Sequence, residues 1–259
     1  MSRRRVLMVS PHLDDAVFSA GGIAATLAVA GVEVVIVTAF TRSVLPATGF
    51  ALACQLDKGL SADVDYMALR RAEDVQALQA LGVAKPVWLD LPEAPHRGYE
   101  TAAALFGKVL EHDTIAAELA CLLRPLVDRA DVVLAPQGLG GHVDHRCVIQ
   151  GLLHLAPRSI GWWEDTPYII RDPDGCSDVS VPTATRMSVF ALSQHALDRK
   201  IAASCAYASQ IGFQFGGQLE TAAALTELAQ RLGGERLLLS ADAEVSSSFV
   251  NKRTKKLYT

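Results

Sequence analysis

Two short stretches of this chain hold residue types that are costly to place beside an apolar core. Ser10-Pro11-His12-Leu13-Asp14-Asp15 follows the apolar run 6–9, and Gly140-Gly141-His142-Val143-Asp144-His145 follows a second such run at 131–135. Buried ionisable groups are unfavourable unless a metal or a partner offsets them. His12 and Asp15 are three residues apart, as are His142 and His145. Where a helical turn begins, each pair shares a face with Cβ atoms about 5–6 Å apart. One nitrogen and one carboxylate from the first pair, with one nitrogen from the second, would make a three-ligand zinc site with an open fourth position. Asp14 and His142 then remain as ionisable groups beside the metal. A lone His-x-Asp-Asp also suits a helix N-terminus, where an aspartate caps the turn and its neighbour meets the dipole. Recurrence of the pattern at two strand ends favours the metal.

The elements that must position these groups alternate along the chain. Runs at 6–9, 32–40, 86–89 and 131–135 read as strands, and 16–30, 66–81, 114–130 and 147–155 as helices. Gly82 suits the end of the second helix, and Pro125 should kink or divide the third. Farther on, 160–170 and 185–192 look like strands and 196–210 like a helix. This order predicts an α/β protein with a largely parallel sheet, in which ligands gather at the carboxyl ends of strands. No linker rich in Pro, Ser or Gly divides the chain, so 1–259 is expected to be one domain, with its core at about 5–215. A C-terminal extension would follow, ending in a solvated basic tail at 252–256.

Composition narrows the function classes. Half of the 259 residues are hydrophobic and 20% are charged, which supports a sizeable core and excludes a disordered chain. A net charge of -4 lacks the basic excess of a nucleic-acid binder. The five cysteines are scattered without a C-x-x-C, which indicates neither a disulfide framework nor a cysteine zinc site. Met1-Ser-Arg-Arg-Arg has the charge of a signal peptide, but the run at 6–9 is shorter than the roughly 7–15 apolar residues such a signal needs. No stretch approaches the about 20 residues of a membrane span. The expectation is a soluble cytoplasmic protein, with a homo-oligomer left open.

Ser10-Pro-His-Leu-Asp-Asp-Ala16 and Gly141-His-Val-Asp-His145 resemble the two signatures of the PIG-L (LmbE-like) deacetylases, zinc-dependent enzymes with a Rossmann-like fold. Arg70-x-x-Glu73-x-x-x-Ala77-x-x-x-Leu81-Gly82 is similar to that family's helix between the second and third strands. Trp163-Glu-Asp-Thr-Pro-Tyr168, Lys200 and Tyr207-Ala-Ser-Gln210 are similar to bacterial members, so the likeness spans about 5–215. The chain departs from the family at Leu13 and Val143, where proline is common; both lie between ligands and offer no metal-binding atom. The resemblance implies that His12, Asp15 and His145 hold Zn2+ and that Asp14 is the general base. It also implies His142 as the group that stabilises or protonates the reacting amide, Asp144 as the group orienting His142, and Arg70 as a substrate contact. The expected substrate is an N-acetylated amino sugar conjugate, with a non-sugar amide of a natural product or thiol conjugate as the alternative. Physical chemistry agrees, because an unactivated acetamide needs activated water, a base and oxyanion stabilisation together. The stretch 91–99, with His96, would line the substrate pocket, and 43–65 would form a lid loop or a structural excursion.

Three other readings fit less well. A nucleotide-binding module would need Gly-x-Gly-x-x-Gly after the first strand, where Pro11-His-Leu-Asp-Asp15 stands instead. An iron oxygenase could use His12, Asp14 and His145, but that triad usually sits in an all-β fold. A non-catalytic metal binder would need neither Asp14 nor His142.

Overall fold

The computed structural model describes residues 4–175, 177 and 185–240. The chain opens with β1 (Arg5–Ser10), α1 (Asp15–Val29) and β2 (Glu33–Thr38). Next come α2 (Gly49–Leu56), α3 (Tyr66–Leu81), the two-residue β3 (Val87–Trp88), a 3-10 turn at Ala94–His96 and the short α4 (Ala102–Leu105). After α5 (Ile115–Val127), β4 (Val132–Pro136), α6 (Val143–Leu155) and β5 (Ile160–Trp163) lie α7 (Tyr168–Arg171) and β6 (Thr185–Phe190). The remaining described elements are α8 (Gln194–Cys205), α9 (Ala208–Phe215), α10 (Gln218–Leu232) and β7 (Glu235–Ser240).

All seven strands join one sheet in the order β3-β2-β1-β4-β5-β7-β6. The first five are parallel, and β7 runs antiparallel to both β5 and β6. Strands buried on both faces need continuous apolar runs, and β1 and β2 are buried at every position after the first. Alternation along β5 sends Trp163 into the layer with Phe18, Ile23 and Leu78, and Trp162 into the opposite one with Leu7, Phe40 and Leu119. From β1 the chain moves to β2 on one side, while β4 pairs on the other. Strand order therefore reverses between β1 and β4, and their carboxyl ends frame a crevice at that switch point.

Local chemistry sets the element ends. The Asp65 carboxylate accepts from the Ala68 N–H at 2.9 Å to start α3, and Gly82 ends it at φ +72°. α1 is broken at Ala20 (φ -133°, ψ 25°). Just beyond the break, the N–H groups of Gly22 and Ile23 donate to Glu235 of β7 at 3.0 and 2.7 Å. Lys200 Nζ meets the same carboxylate at 2.7 Å. An anion thus sits at the positive end of the second half of α1. Gly22 is required by space: a Cβ there would lie 2.5 Å from Leu192.

Several boundaries differ from the sequence reading. The strand expected over 160–170 ends at Trp163, and Tyr168 to Arg171 form α7. The helix expected over 196–210 is two, α8 and α9, separated at Ala206 and Tyr207. α5 runs through Pro125 and stops two residues later, so the proline sits in the last turn. α6 begins at Val143, not at Cys147, which places His145 in its first turn. The region past 215 is no appendage, because β7 inserts between β5 and β6 and carries Glu235 to α1. Cys176 and the basic stretch 252–256 lie outside the described residues.

Candidate metal centre

The turn after β1 is closed by Ser10, whose hydroxyl donates to the His12 carbonyl at 2.6 Å and accepts from the Ala16 N–H at 3.0 Å. The His12 N–H in turn donates to Asp15 Oδ2 at 2.8 Å. His12 and Asp15 thereby face one point, with Nδ1 of His12 at 3.1 Å from that same Oδ2. Across the crevice the first turn of α6 brings Nε2 of His145 to 3.3 Å from it. These three atoms lie within 4.8 Å of one another.

The opposite ring nitrogens are each held by a carboxylate. His12 Nε2 donates to Asp144 Oδ2 at 2.9 Å, and His145 Nδ1 donates to Asp165 Oδ1 at 2.7 Å. Those bonds fix the tautomers, leaving the inner nitrogens as lone-pair donors and raising their basicity. Nε2 of His145 is buried without a hydrogen-bond partner. Asp165 Oδ2 is itself anchored by the N–H groups of Gly138 and Leu139 at 2.8 and 3.0 Å. Four carboxylates, Asp14, Asp15, Asp144 and Asp165, are nearly buried here, and the guanidinium groups touching them are Arg70 and Arg97. An orphaned nitrogen, two backed histidines and surplus negative charge fit a divalent cation. A second trio, His12, His142 and Asp144, also lies close together, but there the Asp144 carboxylate already binds His12, the Ala94 N–H and Arg97.

Protonation follows the same contacts. Burial pushes the Asp14 carboxyl up to about 6, with Arg70 opposing at 3.4 Å. Burial also works against the charged form of His145, but Asp15 and Asp165 outweigh it and raise the ring to about 9. His142 goes the other way, down to about 3, because burial outweighs the attraction of Asp144. Its Nδ1 accepts from the Asp144 N–H at 3.2 Å, so the neutral ring carries its proton on Nε2, a donor. The Asp144 carboxylate lies 4.0 Å from His142 and is engaged instead by His12, Ala94 and Arg97. The orienting contact that the sequence reading gave to His142 falls on His12.

Arg70 is buried, with its fork on Glu93 at 2.6 Å and on Asp14 at 3.4 Å. Glu73 and Asp74, on the same helix, instead bind Ser209 and the Trp88–Tyr207 pair respectively. His12, Asp14, Asp15, Arg70, His96 and His142 line one cavity of about 290 Å³. The stretch 43–65 forms one wall through α2, and 91–99 contributes another through the 3-10 turn, continued by α4. Its mouth is apolar: Leu45, Phe106 and Phe213 line it and are 59%, 46% and 58% exposed. Sequence reasoning gave no individual role to Asp165, nor to Glu93 and Arg97 within the 91–99 stretch it assigned to the pocket. Asp165 stands two residues past β5, close to a strand end as the other two motifs are.

The sequence profile of the PIG-L family, described as GlcNAc-PI de-N-acetylase, matches residues 7–156. Over 172 residues the chain is 31% identical to the 2'-N-acetylparomamine deacetylase of Streptomyces fradiae, covering 65% of this chain and 59% of that protein. The match therefore spans less than two thirds of that relative's length. Among solved structures, a zinc-inhibited form of teicoplanin deacetylase superposes with a TM-score of 0.74 at 25% identity, covering 91% of this chain and 97% of that one. A deacetylase–teicoplanin complex gives 0.75 at 26% identity with the same coverage.

Proposed function

Since the chain belongs to the PIG-L family, we propose that it is a zinc-dependent N-deacetylase that removes the acetyl group from an N-acetylglucosaminyl-type substrate. The observation that carries this reading is the pair of carboxylate-backed histidines facing Asp15, with the unused carboxylate of Asp14 beside them. His12, Asp15 and His145 would hold the metal. Bound there, zinc supplies a Lewis acid and a water whose pKa is lowered to about 7.

Asp14 accepts the proton of the attacking water, and Arg70 beside it favours the charged form that a base needs. His142 donates from Nε2 to the carbonyl oxygen as negative charge develops there. The amide C–N bond then breaks, acetate leaves, and the proton held by Asp14 passes to the departing amine. The related deacetylases of acetylparomamine and teicoplanin support an amino sugar as the acetyl carrier. The apolar mouth favours a second substrate class, a non-sugar amide of a small natural product or thiol conjugate. No described helix is long and apolar enough to cross a membrane, which suits a small dissolved substrate.

The test is incubation of the zinc-loaded protein with a panel of N-acetylglucosaminides and non-sugar acetamides, reading primary amine and acetate. Equimolar release from the sugars is expected. Release from the non-sugar amides alone would move the assignment to the second class, and none from either would remove the activity.

A further inference from the structure

Arg97 lies behind the cavity wall, next in sequence to the lining residue His96, and the chemistry above gives it no role. Its side chain is 8% exposed. The fork lies on Asp113, with Nε at 3.2 Å and NH2 at 3.1 Å from Oδ2, and NH2 also forms an ion pair with Asp144 Oδ1 at 2.8 Å, an oxygen that has no hydrogen-bond partner among the described residues. NH1 donates to the Pro92 carbonyl at 2.8 Å, and the guanidinium stacks over Phe40 with its carbon 4.9 Å from the ring centroid. Asp113 is fixed in turn by the Tyr99 hydroxyl at 2.8 Å and the Ile115 N–H at 3.1 Å. One buried cation thus serves two carboxylates. The other oxygen of Asp144 accepts from His12 Nε2.

We propose that Arg97 is a positioning residue of the metal centre, setting the angle and charge of the Asp144 carboxylate that aligns His12 with Asp15. The role rests on the metal-site reading given above. The fork holds Asp113 through Nε and NH2 while NH2 also reaches Asp144; an ammonium, whose donors share one nitrogen, does not reproduce that spread. A carboxylate free to swing would let the His12 ring rotate, and loss of such an outer partner typically weakens metal binding about 10–100-fold.

The experiment measures zinc affinity by chelator competition and the visible spectrum of the cobalt-loaded protein, with thermal melting alongside. Arg97→Lys keeps a charge near Asp144 and is expected to fold, yet to bind zinc about tenfold more weakly with a shifted cobalt spectrum. Arg97→Gln should weaken binding further. The double variant Arg97→Gln/Asp144→Asn should bind no more weakly than Asp144→Asn alone, since both changes act through one carboxylate. Wild-type affinity and spectrum in Arg97→Lys, or additive losses in the double variant, would overturn the role. Wild-type protein that takes up no zinc or cobalt would remove the metal centre itself, a failure distinguished by its appearing before any substitution is made.

Discussion

In the proposed mechanism two neighbouring aspartates divide the labour at the end of β1, and the division can be tested by amide substitution. Asp15 Oδ2 faces both ligand nitrogens, whereas Asp14 faces Arg70. Asp14→Asn should therefore keep its zinc and lose about 10²–10⁴ in kcat. Zinc lost from that variant would show that the two carboxylates have exchanged roles. Arg70 makes a sharper case than its sequence position suggested. Because its fork is spent on Glu93 and Asp14, Arg70→Met should lower kcat as well as raise KM, and a change in KM alone would return it to direct substrate contact. The clustering of the three candidate ligands was readable from spacing, since i and i+3 positions at a helix start share a face whatever the surroundings. Asp165 offered only its place near a strand end, and the pairing of Arg97 with Asp144 was not readable, because the partners lie 20 and 47 residues away along the chain.

Above the single side chain, the loop between β4 and α6 depends on glycines for space. Gly140 holds φ at +79°, and a Cβ there would lie 2.1 Å from the Tyr168 ring. Tyr168 packs edge-on against His145, ring centres 5.9 Å apart. Gly140→Ala is therefore expected to be among the costliest single changes, lowering the melting temperature and displacing α7 together with the nearby Asp165. Equal melting curves for wild type and variant would show that the ring can move aside freely. Sequence periodicity found the buried strands and α3 because their patterns are long and capped. It overran β5 because Trp163-Glu-Asp-Thr-Pro-Tyr168 mixes apolar and turn residues, and α7 has a single turn. β7 alternates buried and half-buried positions, a short signal in Glu235-Arg-Leu-Leu-Leu-Ser240 that the sequence reading did not single out.

At the level of the sheet, the alternation of strands and helices announced the parallel half and the crevice where order reverses. It could not announce the antiparallel half, because the pairing partners of β7 are chosen by tertiary packing and not by local pattern. The buried pair of Lys200 and Glu235 ties that half to the first helix. Breaking one side of a buried pair usually costs about 3–5 kcal/mol, so Lys200→Met should lower stability by that order in denaturant titration while the zinc ligands stay intact. A loss below about 1 kcal/mol, the range of exposed pairs, would mean that Glu235 is satisfied by the α1 N–H groups alone. The tie also has a consequence in time. Glu235 stands 213 residues after Gly22, and a ribosome adding about 5–20 residues per second leaves roughly ten to forty seconds between their appearances. The nascent chain thus exposes His12 and Asp15 well before the clasp on their helix is made. Chaperones and free metal ions in the cell can meet the first helix during that interval, before Glu235 is there to clasp it.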